Sequence, residues 1–482
     1  MHKTRRTTRP EAVPARDAAP APRRRPWSVL ILLSVAQFMV ILDATVVNVA
    51  LPSIGRSLHV AAGDLQWVVT AYVLLSGGLV LLGGRAADVA GRRRMLLAGL
   101  SVFTAASLAS GLAPAAGALF AARAGQGLGA ALLTPAALSI ITTTYSGAQR
   151  AAALSAWGAI GGAGAGAGVL VGGMLTTWLG WRSVFLINVP VGVVAGLLSL
   201  RLVPRSGAPA RTRRALDLPG AVLATAGLVT GVYALSGARA HGWGSARTLL
   251  LLAVAVALLA AFTVVERSVQ GPLLPPGTWR TRSLVAGVVV MLGATGILVG
   301  TFFLNSLYLQ DVQHASALRA GLEFLPVTVV IGAGAHLASR LLPRAGTRVV
   351  AVAGLALMAG GALLLSVVSA RSGYLTGLLP GLLIIGAGTG LVFPAVSITA
   401  MSDVAADRAG LASGLMTTAH EIGAALGVAV FSVVAIAVGG GFAAGYRHGF
   451  TVAAGLAAGL ALLAAAAIPG VRPADGARLA VH

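Results

Sequence analysis

Asp43, Arg123 and Glu421 are ionisable residues that lie within long apolar stretches of the sequence. Ionisable groups at the depth of a lipid bilayer are costly, and they commonly mark proton or substrate pathways or buried ion pairs. Asp43 could bind and release a proton there, and the positive charge of a nearby Arg123 would help it to release one. The alternative for both residues is a structural role, in which each side chain only bonds to a neighbouring helix.

Glu421 is predicted to be a second protonation site, to attract cationic substrates, or to lie at the lipid interface. Weaker candidates for a substrate cavity are polar residues in other apolar stretches: Asn48, Gln126, Asn188, Tyr308 and His420. Gln126 could instead hydrogen-bond between helices. We expect no catalytic residue and no metal site, because the chain has no cysteine and none of the short motifs of metalloproteases, P-loop proteins or serine hydrolases.

The composition indicates a membrane protein. Of the 482 residues, 57% are hydrophobic and only 10% are charged, and the mean hydropathy is +0.88. Soluble domains carry roughly 25% charged residues, so an ordinary soluble enzyme is excluded. A span needs about 20 apolar residues, and fourteen stretches qualify. Their approximate limits are 27–51, 65–84, 95–113, 117–142, 151–177, 183–203, 217–237, 247–265, 283–310, 320–342, 349–369, 374–399, 409–438 and 447–469.

The positive charge of the chain predicts its orientation. The formal net charge is +22, which in a soluble protein would suggest nucleic acid as a partner. Here most Arg residues fall in the two tails and in the loops that share their side of the membrane. By the positive-inside rule, both termini are predicted to be cytoplasmic. We therefore expect the lipid bilayer, and not nucleic acid, as the partner of these charges.

Two polar interruptions divide the chain. We predict a disordered basic tail at 1–26, a six-helix bundle at 27–203 and a linker with two extra helices at 204–282. A second six-helix bundle follows at 283–469, and a short tail at 470–482. Transporters are commonly built from two such halves, with the transport path between them.

The loop after the second span has a distinctive spacing of glycine, aspartate and arginine: Gly84, Asp88, Gly91, Arg92 and Arg93. The glycines permit a tight turn. The segment resembles the G-x-x-x-D-x-x-G-R-R-R signature of the major facilitator superfamily. The resemblance implies an all-α fold of two six-helix bundles, here with two extra central helices, and a charged loop that stabilises one access state.

The first span resembles one branch of that superfamily, the fourteen-span drug:proton antiporters. Residues 42–52 read LDATVVNVALP, and residues 123–131 match the pattern R-x-x-Q-G-x-G-x-A. The resemblance implies that Asp43 is a proton site and that Arg123 takes part in proton transfer. Gly164, Gly168, Gly172 and Gly173 match the branch's glycine motif and predict close helix packing. That motif has two prolines, which this sequence replaces by Ala165 and Val169.

These features together predict proton-coupled efflux of lipophilic or amphiphilic drugs or antibiotics by alternating access. The energy source would be the proton gradient, with no cofactor, and a monomer would suffice. A dedicated exporter of one self-made metabolite is the alternative, and a membrane-embedded enzyme is a more distant one. The 34 arginines against one lysine indicate a high-GC bacterium and its cytoplasmic membrane.

Overall fold

The computed structural model describes residues 26–61, 63–145, 147–204, 217–242, 244–269, 272–274, 276–369, 372–404, 409–437 and 442–471. Most of the predicted tails, and most of the polar segment that precedes the two extra helices, lie outside these residues. Within them all regular secondary structure is helical, and there is no strand.

The long helices of the first half and of the insertion follow the predicted spans. They are α1 (Pro26–Leu58), α2 (Trp67–Ala90), α3 (Arg92–Gly111), α4 (Ala116–Thr144), α5 (Gly147–Trp178), α6 (Ser183–Leu202, interrupted at Ile187), α7 (Leu218–His241) and α8 (Ala246–Ser268).

The second half begins after a 3-10 turn at Pro276–Arg280. Its helices are α9 (Arg282–Leu307), α10 (317–345), α11 (347–366), α12 (Leu379–Met401), α13 (Ala409–Ala437) and α14 (Phe442–Ala467). Short π-helical turns at Tyr308–Val312 and Tyr374–Leu378 extend α9 and precede α12.

The number of helices confirms the prediction of fourteen for the described residues. Twelve helical spans are long and apolar enough to cross a membrane. One of them, Ala317–Ser366, contains both α10 and α11, because Gly346 has a φ of 80° and interrupts the helix. Glycine adopts this conformation without the steric penalty that a Cβ would bring. The fourteenth helix is α5, which is 32 residues long.

The helices α1–α6 pack mainly on one another, and so do α9–α14. The largest contacts between these halves are those of α2 with α13 and α5 with α10, and α1 adds a smaller contact with α9. Glycines permit the close approach: a Cβ at Gly173 would lie 2.8 Å from the Ala317 carbonyl oxygen, and one at Gly77 would lie 2.5 Å from Glu421 Cβ. The hairpin of α7 and α8 packs against α2 and α13 through α7.

We call the side at which α1 begins and α14 ends the tail side, and the opposite side the far side. Polar contacts join the two halves toward the far side. Ser306 Oγ and Gln310 Nε2 of the second half donate to the Asn48 and Val49 carbonyl oxygens of α1, at 2.5 and 2.9 Å. Leu318 N also donates to Thr177 Oγ1 at 3.1 Å. The halves are therefore held together at the far side.

Candidate functional site

Asp43 and Arg123 form a fully buried ion pair between α1 and α4. Arg123 Nη1 lies 2.5 Å from Asp43 Oδ2, and neither side chain has any exposed surface. The pair thus brings together the two ionisable residues that the sequence placed in different spans of one half. Removing either partner would leave an uncompensated charge in an apolar surrounding, which costs about 3–5 kcal/mol.

Two amide side chains hold the other carboxylate oxygen of Asp43. Asn188 Nδ2 of α6 donates to Oδ1 at 2.7 Å, and Gln126 Nε2 of α4 donates to it at 2.9 Å. Both residues are almost completely buried. They were predicted to line a substrate cavity, with hydrogen bonding between helices as the alternative for Gln126, and in this conformation both bind Asp43.

Two serines of α3 complete the arrangement. Gln126 Nε2 approaches Ser107 Oγ at 2.6 Å, and Ser110 Oγ donates to Gln126 Oε1 at 3.0 Å. We call Asp43, Ser107, Ser110, Arg123, Gln126 and Asn188 the polar cluster. The sequence reasoning missed both serines, although their spacing of three residues puts them on one helix face.

Arg123 is fixed by contacts on several sides. Its Nε donates to the Val68 carbonyl oxygen at 2.8 Å, and its Nη1 donates to Gln126 Oε1 at 2.9 Å. The guanidinium carbon lies 4.4 Å from the centroid of the Tyr72 ring and 5.6 Å from that of Phe185. Nη2 is buried and has no hydrogen-bond partner. One end of this cation therefore has a hydrogen-bonding position that is not used in this conformation.

Glycines on α4 explain why these helices can share one polar cluster. A Cβ at Gly129 would lie 2.6 Å from Phe103 N of α3, and one at Gly127 would meet the Tyr72 carbonyl oxygen of α2. Because backbones can approach closely only where side chains are small, these two positions bring α2 and α3 against α4. Arg123 lies one turn before Gly127 on α4, and Gln126 lies one turn before Gly129. Both side chains are therefore on the face of α4 that packs against α2 and α3.

The glycine stripe of α5 brings that helix against α1. A Cβ at Gly164 would lie 3.2 Å from Ile41 Cγ2, and one at Gly172 would lie 2.6 Å from Val46 Cγ2. Gly168 faces Thr45 and the Leu42 carbonyl oxygen in the same way. Gly173 faces α10 instead. The stripe therefore supports the part of α1 that carries Asp43.

Glu421 lies on α13 where this helix meets α2. Its side chain is partly exposed and lies against Gly77. Among the described residues, its carboxylate has neither a hydrogen bond nor an ion pair. The preceding His420 faces the second half, where Nδ1 lies 3.1 Å from Thr295 Oγ1 and the ring packs edge-on to Phe393.

The two remaining cavity candidates have other surroundings. Tyr308 is completely buried, and its hydroxyl donates to the Ser369 carbonyl oxygen at 2.5 Å while its ring packs on Tyr446. Asn48 is 8% exposed, and its Nδ2 donates within α1 to the Ala44 carbonyl oxygen at 3.3 Å. Its Oδ1 is buried without a partner. Asn48 thus keeps an unused acceptor, whereas Tyr308 is part of the packing of the second half.

The predicted loop between the second and third spans is a sharp junction. Gly91, with a φ of 100°, directly joins α2 to α3, while Gly84 lies on α2 near Pro135 of α4.

The charged residues of this junction differ in their contacts. Arg93 Nη2 donates to the Leu200 carbonyl oxygen at the end of α6, and Arg92 is partly buried at the start of α3. Asp88 is exposed and, within the described residues, forms no ion pair. The junction therefore ties α3 to α6 through arginine, and not through Asp88, in this conformation.

Comparison with known proteins shows the family of the chain. A family model described as Major Facilitator Superfamily matches residues 33–428. The puromycin resistance protein of Streptomyces alboniger is 44% identical over 431 residues, which are 88% of this chain and 84% of the relative. The cephamycin export protein of Amycolatopsis lactamdurans is 42% identical over 412 residues, 84% of each chain.

A solved structure shows a similar fold at low sequence identity. The xylose transporter from E. coli, in a partially occluded inward open conformation, aligns with a TM-score of 0.64 and 15% identity. The alignment covers 93% of this chain and 99% of that one. Since the family model and the two relatives each match more than four-fifths of its length, the chain belongs to the Major Facilitator Superfamily.

Proposed function

We propose that the protein exports a lipophilic or amphiphilic small molecule, such as an antibiotic, across the cytoplasmic membrane in exchange for protons. The observation that carries the proposal is Asp43, a carboxylate without exposed surface that pairs with a single cation, Arg123. Intramembrane carboxylates of this kind mark proton or substrate pathways. The names of the two relatives, which describe antibiotic resistance and antibiotic export, support the direction and the kind of cargo.

The proton would bind at Asp43 Oδ2, the atom that contacts Arg123 Nη1. The ion pair corresponds to the deprotonated carboxylate. Protonation would remove its negative charge and leave Arg123 buried without a counter-ion, a state that costs several kcal/mol. Rearrangement of α1 against α4 would relieve this cost. Because neither residue is exposed here, proton exchange requires the helices around the polar cluster to separate.

Alternating access would then come from rocking of the two halves about the α2–α13 and α5–α10 contacts. The far-side contacts of Ser306 and Gln310 with α1 hold the deprotonated conformation closed on that side. We place the tail side in the cytoplasm, with both termini there, because of the positive-inside rule. The far side is then the side of release.

Glu421 is the candidate for a second proton site or for attraction of cationic cargo, since its partly exposed carboxylate is unpaired and lies between the two halves. In this proposal the proton gradient supplies the energy without a cofactor, and one chain forms the complete path. The protein acts as a transporter in the membrane of a high-GC bacterium and performs no catalysis.

Replacing the proton-binding carboxyl group tests the proposal. In everted membrane vesicles under an imposed proton gradient, we expect Asp43→Asn to lower the uptake of a fluorescent lipophilic dye at least tenfold. Asparagine keeps the size of the side chain but cannot exchange a proton. Asp64→Asn is the matched control, because Asp64 is exposed in the turn between α1 and α2, and it should transport at the wild-type rate at equal protein amount. Wild-type, gradient-dependent uptake by Asp43→Asn would contradict the assignment of Asp43.

A dedicated exporter of one compound is the second candidate, because each of the two relatives is named for a single antibiotic. A susceptibility panel in pump-deficient cells separates the two candidates. Raised resistance to several unrelated lipophilic compounds indicates a multidrug exporter, whereas raised resistance to one compound class indicates a dedicated one. In either case the resistance should be lost in Asp43→Asn and kept in Asp64→Asn.

A further inference from the structure

A groove on the tail side lies between the beginning of α9 and the end of α14. It has a volume of about 270 Å³, and its mouth is formed by Trp279, Arg280 and Arg282. Its walls continue along Val285, Val289 and Leu463. The groove shares no residue with the polar cluster. It has no part in the proton step described above.

The mouth of the groove carries two unneutralised positive charges. Arg280 and Arg282 are both exposed, and neither forms an ion pair among the described residues. Arg282 Nη2 donates to the Ala466 carbonyl oxygen at 3.2 Å, which fixes the guanidinium at the end of α14. Most of its donors remain unused. Among the described residues that line the groove, the charged ones are both arginines.

The walls of the groove are apolar and face outward from the bundle. Val289 is 39% exposed and Leu463 38% exposed. Val289 lies two helical turns after Arg282, about 10 Å deeper along the helix axis at 1.5 Å per residue. Trp279, 52% exposed at the mouth, is of the residue type that gathers at the level of lipid headgroups.

From this placement we infer that the groove binds one anionic phospholipid of the tail-side leaflet. The phosphate group is held by Arg280 and Arg282, because guanidinium groups bond phosphate oxygens in bidentate fashion. One acyl chain lies along Val285, Val289 and Leu463. Basic pockets between membrane helices favour anionic headgroups over zwitterionic ones, and the apolar wall favours a lipid over a free phosphate ion.

Native mass spectrometry of the purified full chain can test this inference, with phosphatidylglycerol and phosphatidylcholine added in turn. The double variant Arg280→Gln/Arg282→Gln should bind phosphatidylglycerol about 30-fold more weakly, since each charge near the surface contributes on the order of 1 kcal/mol. Binding of phosphatidylcholine should stay unchanged. Val289→Trp, which fills the apolar wall without altering charge, should also weaken phosphatidylglycerol binding.

Arg201→Gln/Arg267→Gln is the matched control, because these two arginines are also exposed at tail-side helix ends but lie outside the groove. It should keep wild-type binding. An equal loss in this control would show diffuse attraction to the basic surface and overturn the site. Undiminished binding by Val289→Trp or by the Arg280 and Arg282 double variant would overturn it as well. All the substituted residues are exposed, and equal melting temperatures in phosphatidylcholine would exclude misfolding as the cause.

Discussion

At the scale of single residues, the carboxylate of Asp43 has three donors. Arg123 binds one oxygen, and Gln126 and Asn188 bind the other. Such an arrangement satisfies the lone pairs of a charge that has been removed from water, which an ion pair alone does only incompletely. Asn188 and Gln126 are therefore positioning residues for the carboxylate in this conformation.

The dependence of Arg123 on its counter-ion leads to a prediction for double variants. Arg123→Met should destabilise the protein by about 3–5 kcal/mol, because Asp43 would stay buried without a counter-ion. Asp43→Asn/Arg123→Met, which removes both charges, should be less destabilised than Arg123→Met alone. The measurement is thermal or denaturant unfolding in detergent. A double variant that loses the sum of both single effects would show that the two charges are not coupled.

At the scale of helices, small residues decide how closely the elements of the first half approach. Gly129 places α4 directly against the backbone of α3, since a Cβ there would lie 2.6 Å from Phe103 N and 2.8 Å from Phe103 Cα. Gly117 lies on the same helix with no atom within 4 Å of its Cβ position. Gly117 and Gly129 are thus a matched pair on α4, of which only Gly129 packs closely against another helix.

Substitution by alanine should lower the stability of the protein at Gly129 but not at Gly117. Gly129→Ala should destabilise the protein by about 1–3 kcal/mol, because the added methyl group forces α3 and α4 apart. Gly117→Ala should be neutral or stabilise by up to about 1 kcal/mol, since alanine is the better helix former. Melting temperatures in detergent compare the two variants. Equal melting temperatures would mean that Gly129 does not set the distance between the helices.

At the scale of the whole molecule, the two halves meet through α2 with α13 and α5 with α10, and they are bonded together toward the far side. Thr177 at the end of α5 and Leu318 at the start of α10 face each other there, with 3.1 Å between Thr177 Oγ1 and Leu318 N. Any conformation open on the far side must separate contacts of this kind.

Cross-linking at this point tests whether the far side opens during transport. The natural chain contains no cysteine, so Thr177→Cys/Leu318→Cys introduces the only two thiols. Oxidation should join them and stop transport, and reduction should restore it, because the disulfide holds the far side closed. Each single variant, treated with the same oxidant, should transport normally. Full transport by the cross-linked protein would contradict opening between α5 and α10.

The fourteen helices could be predicted from the sequence alone, because a span is recognised from its local composition. It also singled out Asp43 and Arg123, since an ionisable group inside an apolar stretch is visible without knowledge of its neighbours. The glycine motif of α5 could also be recognised from the sequence, because it is defined by residues close together in the chain.

The contacts among the polar groups could be identified only from the tertiary structure. It joined Ser107 and Ser110, which the sequence reasoning had missed, to Gln126 and Asn188, which it had placed in a cavity. Whether a polar side chain faces the bundle interior, a cavity or lipid depends on how its helix is rotated and how closely the neighbouring backbone approaches. Those quantities are set by contacts between residues far apart in the chain, such as Gly129 with Phe103, and not by the residues beside it.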